Sequence, residues 1–337
     1  MSNPMKTTVV GAGAWGTALA MVLVEKGHDV TLWSYESEVV SSINKSQQNP
    51  YLQGVTLPAE LRAERDLGAS VQGAELVVSV SPSQVVRTVM EVAGPRMDPR
   101  ALLVSASKGI ELNSLLRMDE LLRGLVSPSV MERFCVLSGP SFAREVAERA
   151  PTAVVVASGD LEAAEEAQRA FQTPWFRVYT NPDVVGVELG GALKNVIAVA
   201  AGVAAGLGYG HNTTAALITR GLAEITRLGV AMGARQATFY GLAGMGDLVL
   251  TCTGSLSRNR TVGFRLGQGE GLADILSDMT AVAEGVKTAS AVHELAGRYG
   301  VEMPIVDQVC AIIEEGRSAS EAVQALMLRD PKPEEWS

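Results

Sequence analysis

Two lysines occupy positions in which a side chain could do acid–base chemistry. Lys194 lies in an otherwise apolar helical pattern, where burial would lower its pKa and let the amine accept a proton near neutral pH. Lys108 follows a strand pattern and precedes Gly109. Either lysine could instead reach solvent or pair with a carboxylate, as most lysines do. The apolar surroundings favour a functional role for Lys194, whereas the two interpretations of Lys108 stay balanced.

Residues 241–260 combine groups that suit a phosphate. A glycine-rich bend at 241–247 leads to a Ser/Thr-rich loop, which runs into a helix start carrying Ser257, Arg258 and Asn259. Backbone N–H groups, a hydroxyl, an amide and a guanidinium are common phosphate ligands. The alternative is an ordinary loop in which a serine or an asparagine caps the helix.

Two other side chains of this segment have a structural interpretation beside the functional one. Asp247 is either a solvated loop acid or a hydrogen-bond partner for a hydroxyl or a lysine. Cys252 is expected to be a small packing residue, because no histidine lies near it in the sequence to activate the thiol.

A glycine-rich turn near the N-terminus predicts dinucleotide binding. The motif Gly11-Ala12-Gly13-Ala14-Trp15-Gly16 follows a strand pattern at 7–10 and opens a helical pattern at 14–26. Its glycines serve a tight turn, the approach of a pyrophosphate and close helix–sheet packing. The helix N-terminus offers N–H groups and a positive dipole end to the diphosphate. A turn without a ligand is the alternative, and the strand–turn–helix context favours the dinucleotide.

The end of the second predicted strand bears on the choice between NAD and NADP. An acid there would bind the ribose diol, and an arginine would bind a 2′-phosphate. The sequence has Ser34-Tyr35-Glu36-Ser37. Its one acid, Glu36, lies slightly beyond the end of the strand, and no cationic residue is beside it. Glu36 could also be a first-turn helix acid that interacts with the helix dipole. The pattern inclines slightly toward NAD.

The elements that must position these groups divide the chain into two parts. Short Val- and Leu-rich runs alternate with helical patterns up to about Asp183, which predicts a mostly parallel α/β sheet of Rossmann type. Beyond Asp183 only helical periodicity remains. We therefore predict a dinucleotide-binding domain over residues 1–183 and an all-α domain over residues 184–337. The strands are predicted at 7–10, 30–33, 76–80, 101–105, 134–137, 152–156 and 176–179.

Composition excludes several classes of protein. The 337 residues have a formal net charge of −9, which argues against a nucleic-acid-binding protein. Three cysteines and three histidines are too scattered for a disulfide framework or a metal site. The N-terminus has no secretion-signal pattern, and the apolar stretch at 196–210 is shorter than the roughly 20 residues of a membrane-spanning helix. We expect a cytoplasmic protein without metal and without integral membrane association.

These motifs, in this order, resemble the bacterial-type NAD(P)-dependent glycerol-3-phosphate dehydrogenases over nearly the whole chain. Several of the matching segments are far more specific than the glycine turn. The segments are GAGAWGTALA at 11–20, SKGI at 107–110, SGPSFA at 138–143, ELGGALKN at 188–195, AALITRGL at 215–222, GLAGMGD at 241–247, SRNR at 257–260 and AEGV at 283–286.

The resemblance implies roles for individual residues. It makes Lys194 the proton acceptor and also a substrate ligand. Lys108 and Arg258 would each contact both substrate and cofactor. The remaining implied substrate ligands are Gly139, Ser141, Asp247, Ser257 and Asn259. The remaining implied cofactor contacts, beside the glycines of the turn, are Ala14, Trp15, Tyr35, Ala143, Val282 and Glu284.

The implied reaction is the reversible reduction of dihydroxyacetone phosphate to sn-glycerol 3-phosphate with NAD(P)H, in the service of glycerophospholipid synthesis. A homodimer formed through the helical domain is a further expectation. The sequence departs from the family at Tyr35, where many relatives have a basic residue, and at 210–214, where His211 and Thr214 replace other residue types. The rival interpretations are a hydroxy-acid or ketopantoate-type dehydrogenase and a dinucleotide-sensing protein without catalysis.

Overall fold

The computed structural model describes residues 4–279 and 283–334. The chain forms two compact units. The first comprises Met1–Lys108 and Leu116–Val187, and the second comprises Gly109–Leu115 and Glu188–Ser337. The change of unit falls inside a long helix, whereas the sequence places a domain boundary after Asp183, just before that helix.

The first unit is built on one eight-stranded sheet with the order β3-β2-β1-β4-β5-β6-β7-β8. All neighbouring strands are parallel except β6 and β7, which are antiparallel. The mostly parallel Rossmann-type sheet predicted from the sequence is therefore confirmed. The strands are β1 (Lys6–Val10), β2 (Asp29–Trp33), β3 (Arg62–Glu64), β4 (Leu76–Ser79), β5 (Leu102–Ser105), β6 (Phe134–Ser138), β7 (Thr152–Ala157) and β8 (Phe176–Asn181).

Helices connect these strands and cover the sheet. Val9, Val78 and Val104 of neighbouring strands are completely buried with Leu19 and Leu23 of the first helix, which explains why the strands are continuous apolar runs. The helices are α1 (Ala14–Glu25), α2 (Ser37–Ser46), α3 (Leu67–Val71), α4 (Val86–Ala93), α5 (Met118–Arg123), α6 (Pro128–Glu132), α7 (Ala143–Ala147) and α8 (Leu161–Phe171).

The second unit contains helices and no strand within its described residues. The α/β plus all-α fold class is thus confirmed. The helices are α9 (Val184–Gly206, which begins in the first unit), α10 (His211–Ala231), α11 (Gln236–Phe239), α12 (Asp247–Thr253), α13 (Arg258–Gly267), α14 (Leu272–Ser277), α15 (Glu284–Tyr299), α16 (Pro304–Glu314) and α17 (Ala319–Met327), with a π-helical turn at Leu242–Gly246.

Two elements differ from the sequence-based prediction, namely strand β3 and the segment that follows Asp247. Strand β3 has three residues and alternates exposed charge with one buried alanine, so it lacks the apolar run of the central strands. The supposed Ser/Thr-rich loop after Asp247 is wrong in its first part, because Thr251–Thr253 complete helix α12. Threonine and cysteine have modest helix propensity, and burial of Leu248 and Cys252 compensates for it. Helices α14 and α17 were also not predicted.

Helix α9 is the central helix of the second unit. By length and composition alone it could cross a membrane, but 83% of its most apolar window is buried within the protein. That burial identifies α9 as a helix of the protein core. The apolar stretch is therefore explained by packing.

Glycines bring α9 and α13 into backbone contact. A Cβ atom at Gly202 would lie 2.1 Å from the carbonyl oxygen of Arg260, and one at Gly206 would lie 2.2 Å from that of Phe264. On the facing helix, a Cβ at Gly263 would lie 2.0 Å from the carbonyl oxygen of Val199. Such contacts leave no room for any side chain at the crossing. The Gly202-x-x-x-Gly206 pattern is therefore a helix-packing motif within the second unit.

Glu224 of α10 is a buried carboxyl group that caps the start of α16. It accepts hydrogen bonds from the backbone N–H groups of Ile305 and Val306 at 2.8 and 3.4 Å. Burial nevertheless raises the pKa of Glu224 to about 7. Because the ionised carboxylate is disfavoured in the folded protein, the stabilisation from protonation is complete below the ordinary pKa of 4.5 and is lost as the pH rises through about 7.

We expect the substitution Glu224→Gln to flatten the pH dependence of stability. Glutamine keeps an oxygen acceptor for Ile305 and does not titrate, so the loss of stability between about pH 5 and about pH 8 should shrink by up to about 3 kcal/mol. Urea unfolding of both proteins at the two pH values measures this. Glu132→Gln, at an exposed position ending α6, is the control and should leave the pH dependence unchanged. Equal slopes for wild type and Glu224→Gln would contradict the prediction.

Candidate active site

The glycine turn connects β1 to α1 at the point where the strand order reverses. Strands β1 and β4 are neighbours there, and the connections from their carboxyl ends run in opposite directions along the sheet. Ligands of open α/β sheets bind at such a point. Gly11 has φ of +128°, a conformation that only glycine adopts readily, and its N–H donates to the carbonyl oxygen of Trp33.

The three motif glycines have different surroundings. A Cβ atom at Gly16 would lie 1.9 Å from the carbonyl oxygen of Gly11 and 2.8 Å from Cγ1 of Val80, so the helix is seated directly on the turn. Apart from its chain neighbours, no described residue has an atom within 4 Å of the position that a Cβ of Gly13 would take, which leaves open space beside the helix N-terminus. Gly16 thus allows close packing of the helix on the turn, and the space beside Gly13 could hold a bound diphosphate.

The N-terminus of α1 can accept an anion. No side chain caps this helix at Gly13, so its first N–H groups are not satisfied by a side chain. The Asn49 side chain stabilises the turn by donating to the carbonyl oxygen of Ala12 at 2.9 Å and to Thr17 Oγ1 at 2.7 Å. Ala14 is the first residue of the helix, and the buried Nε1 of Trp15 has no hydrogen-bond partner among the described residues. The turn therefore fits a dinucleotide.

The segment after β2 presents a carboxylate. Tyr35 is 72% exposed, and Glu36 is the N-terminal flanking residue of α2. The hydroxyl of Tyr51 donates to the two carboxylate oxygens of Glu36 at 2.8 and 3.1 Å, and this bond raises the pKa of Tyr51. Glu36 is therefore more than a first-turn helix acid, because a tyrosine from another segment holds it in place.

Lys108, Gly139 and Ser141 come together at the carboxyl ends of β5 and β6. Lys108 Nζ donates to the carbonyl oxygen of Gly139 at 3.2 Å, and Ser141 Oγ donates to the same oxygen at 3.0 Å. Gly139 has φ of +137°, and a Cβ there would lie 3.0 Å from Cα of Val154. Ala143 begins α7 just beyond them. The first unit thus gathers these predicted site residues at one edge of its sheet.

Lys194 lies at the centre of a buried polar cluster in the second unit. The residue is 5% exposed, and its ammonium donates to Asn195 Oδ1 at 3.0 Å and to Thr251 Oγ1 at 2.9 Å. Asp247 Oδ1 lies 3.4 Å from Nζ, and Asp247 is 2% exposed. The carboxylate compensates the buried positive charge, which burial in an apolar helix alone would disfavour.

The structure resolves the two alternatives for Asp247. It begins helix α12, it is buried, and it accepts a hydrogen bond from Thr251 at 3.3 Å beside its ion pair with Lys194. It is therefore a partner for a hydroxyl and a lysine, not a solvated loop acid. Cys252 is buried, and burial raises the pKa of its thiol to about 12, as suits a packing residue.

The Ser257-Arg258-Asn259 segment begins helix α13. Ser257 caps the helix by accepting from the backbone N–H of Arg260 at 3.2 Å, so the capping interpretation applies to this serine. Arg258 is exposed, and Asn259 is buried against α9 and α15. Asn259 Nδ2 donates to Asn195 Oδ1, and Asn259 Oδ1 accepts from the N–H of Gly285, both at 2.9 Å.

Of the last two implied cofactor contacts, the structure describes Glu284. Glu284 is the first residue of α15 and is half-buried. Val282 lies outside the described residues. The departures at 210–214 are at the surface, because His211 is the exposed first residue of α10.

Two residues of the lysine cluster, Asn195 and Thr251, were not predicted as site residues. Asn195 is adjacent to Lys194 in one helix, and neighbours in a helix do not normally face each other. Thr251 follows Asp247 by four positions, a spacing that puts two side chains on one helical face. Treating residues 247–253 as a helix would have placed Thr251 beside the carboxylate.

Comparisons with known proteins agree over both units. Residues 6–164 match the family model of the NAD-dependent glycerol-3-phosphate dehydrogenase N-terminus, and residues 183–324 match that of the C-terminus. A glycerol-3-phosphate dehydrogenase [NAD(P)+] of Geobacter metallireducens is 59% identical over 330 residues, which is 98% of each chain. The corresponding protein of Geobacter sulfurreducens is 58% identical over 97% of this chain and 98% of its own.

Solved structures give the same result. The crystal structure of glycerol-3-phosphate dehydrogenase from Coxiella burnetii superposes with a TM-score of 0.90 at 40% identity, covering 97% of this chain and 99% of that one. A ketopantoate reductase from Ralstonia eutropha shares the fold alone, with a TM-score of 0.60 at 16% identity over 94% of this chain and 99% of that one. This chain belongs to the family of NAD-dependent glycerol-3-phosphate dehydrogenases.

Proposed function

We propose that this protein reversibly reduces dihydroxyacetone phosphate to sn-glycerol 3-phosphate with NADH or NADPH. The observation that supports this most directly is the buried Lys194 cluster in a chain of this family. A lysine held by a carboxylate, a hydroxyl and an amide has the stable geometry that a proton donor and acceptor needs.

In the reductive direction Lys194 donates a proton to the C2 oxygen of the substrate and becomes a neutral amine. In the oxidative direction the neutral amine takes the hydroxyl proton and becomes an ammonium, which Asp247 stabilises at 3.4 Å. Thr251 and Asn195 accept hydrogen bonds from the ammonium and hold it in one orientation. When bound, the nicotinamide supplies or accepts the hydride.

We assign the other implied ligands by their chemistry. Arg258, at the start of α13, would bind the substrate phosphate together with nearby N–H groups. Asn259 would add the second hydrogen of its Nδ2, the first being donated to Asn195. Ser257 and Asp247 would complete the ligands of this unit. In the first unit Lys108 would offset negative charge on the substrate oxygen, with Gly139 and Ser141 as further contacts. The cofactor diphosphate would lie at the α1 N-terminus beside Gly13.

The test is oxidation of NADH and of NADPH by the purified protein with dihydroxyacetone phosphate, followed at the nicotinamide absorbance. We expect substrate-dependent oxidation and sn-glycerol 3-phosphate as the product. A substrate panel that includes ketopantoate and simple 2-keto acids is the comparison. Preference for one of those acids would favour the ketopantoate-type alternative, and cofactor binding without any turnover would favour a sensing protein.

We further propose that NADH is the better cofactor. The carboxylate of Glu36, held by Tyr51 after β2, would bind the ribose diol and repel a 2′-phosphate. Wild type should therefore have a higher kcat/KM with NADH than with NADPH. Glu36→Gln, which keeps the size and removes the charge, should reduce that ratio roughly tenfold. Glu132→Gln, the same change at the exposed end of α6, is the control, and an unchanged ratio in Glu36→Gln would contradict the assignment.

The setting of the reaction is also a proposal. We propose a cytoplasmic enzyme that supplies glycerophospholipid synthesis and forms a homodimer through the second unit. The exposed Met327 and Leu328 at the end of α17, 78% and 74% accessible, support an apolar contact surface there. Light scattering of the purified protein measures the oligomeric state. Met327→Lys should dissociate a dimer that uses this surface, and a monomeric wild type would contradict it.

A further inference from the structure

Helix α15 is connected to the catalytic lysine by two buried amide side chains. Asn195 Oδ1 accepts from Lys194 Nζ at 3.0 Å and from Asn259 Nδ2 at 2.9 Å. Asn259 Oδ1 in turn accepts from the backbone N–H of Gly285 at 2.9 Å. Asn195 is 4% exposed and Asn259 is 8% exposed, so water does not compete freely for these bonds.

The polarity of this chain of bonds allows only one arrangement. The ammonium of Lys194 can only donate, so the asparagine atom facing it must be the amide oxygen. That oxygen also receives the Asn259 amide N–H, which leaves the Asn259 oxygen for the N–H of Gly285. A rotation of either amide would place like groups together and leave buried polar atoms unpaired.

Close packing fixes the far end of the chain. A Cβ atom at Gly285 would lie 2.5 Å from the carbonyl oxygen of Asn195 and 3.0 Å from Asn259 Oδ1. The start of α15 therefore rests directly on the residue next to the lysine. Glu284, the residue before Gly285, is the implied cofactor contact on this helix.

We propose that Asn195 and Asn259 form a positioning relay that couples the start of α15 to the orientation and proton affinity of Lys194. This proposal rests on the proposed function of Lys194 as the proton donor and acceptor. Through the relay, a continuous chain of hydrogen bonds connects Lys194 to the first turn of α15, which carries the implied cofactor contact Glu284. Displacement of the turn would rotate the Asn259 amide away from Asn195. Asn195 would then lose the donor that orients its oxygen, and this oxygen could turn away from Lys194.

Two substitutions at Asn195 should move the proton affinity of Lys194 in opposite directions. Asn195→Asp keeps the oxygen that accepts from both Lys194 and Asn259 and adds a negative charge, which favours the ammonium. Asn195→Ala removes the acceptor and disfavours the ammonium. The acidic limb of kcat for sn-glycerol 3-phosphate oxidation, which rises as Lys194 loses its proton, should shift up by about one pH unit in the first variant and down in the second. A residue with only a structural role would not shift this limb in opposite directions.

A pair of glycines on α15 tests the far end of the relay. Gly285→Ala should shift the acidic limb downward and raise the KM for the nicotinamide cofactor at least roughly tenfold, because it displaces the turn. Gly297→Ala is the matched control. Gly297 lies in the same helix, and outside that helix no described residue has an atom within 4 Å of its Cβ position. We expect Gly297→Ala to behave as wild type in both measurements.

A readout that does not need turnover separates this proposal from the proposed function. The Nζ resonance of Lys194 in lysine-labelled protein, titrated by NMR and assigned with Lys194→Arg, reports the proton affinity directly. An inactive wild type would overturn the proposed function, and the resonance would still test the relay. Unchanged titration of Lys194 in Asn195→Asp and Gly285→Ala would overturn the relay.

Discussion

Replacing Lys194 by alanine should reduce kcat for dihydroxyacetone phosphate roughly a thousandfold while leaving cofactor binding near normal. The reason is the loss of the proposed proton donor and acceptor, whose contribution would be typical of general acid–base catalysis. The glycine turn that we assign to the cofactor lies in the other unit of the chain. Steady-state kinetics and a fluorescence titration with NADH measure the two properties separately.

The alanine variant also leaves Asp247 as a buried carboxylate without its lysine partner, which lowers stability. Lys194→Arg separates this effect from catalysis, because arginine keeps the positive charge but does not release a proton near neutral pH. We expect Lys194→Arg to be as inactive as the alanine variant and more stable. Lys287→Ala, at an exposed lysine of α15, is the control for general loss of charge. Wild-type turnover in Lys194→Arg would remove Lys194 from the role of proton acceptor.

Two glycines of the same turn should respond to alanine in different ways. Gly16→Ala places a methyl group 1.9 Å from the carbonyl oxygen of Gly11, so α1 must move and the first unit should lose about 1–3 kcal/mol of stability. Gly13→Ala meets no protein atom within 4 Å and should change the free energy of unfolding by less than about 0.5 kcal/mol. Its methyl group would instead occupy the space assigned to the cofactor diphosphate.

The contrast is measured by urea unfolding and by the Kd for NADH. We expect Gly16→Ala to lose both stability and cofactor affinity, and Gly13→Ala to lose at least tenfold in affinity, about 1.4 kcal/mol, at unchanged stability. Tight NADH binding by Gly13→Ala would show that the diphosphate does not pass over this glycine. Wild-type stability of Gly16→Ala would show that α1 can shift away from the turn at little cost in free energy.

The sheet and the turn could be predicted because their causes are local. Strands buried on both faces are continuous apolar runs, and Val9, Val78 and Val104 show that burial. The turn is recognisable because its glycine spacing directly follows a strand pattern and opens a helix, and because Gly16 packs against Gly11 within the turn itself. The short edge strand β3 could not be found in this way, since its pairing with β2 stabilises it and its own sequence is polar.

The partners of Lys194 could be predicted from the sequence only in part. The apolar surroundings of Lys194 predicted its burial, but the partner carboxylate comes from a helix that was interpreted as part of a loop. Asn195 and Asn259 are 64 positions apart, and their contact depends on the crossing of α9 and α13. Only the folded structure brings those two amides together.

Backbone contact between α9 and α13 sets a lower limit on the distance between the backbones that carry Lys194, the proposed proton donor, and Arg258, the proposed phosphate ligand. Neither helix can move closer, because the carbonyl oxygens already touch the facing glycines. Any side chain added at Gly202 or Gly263 would separate them. On the roles proposed for Lys194 and Arg258, the spacing of α9 and α13 would then help to set the length of substrate that these two residues can bridge.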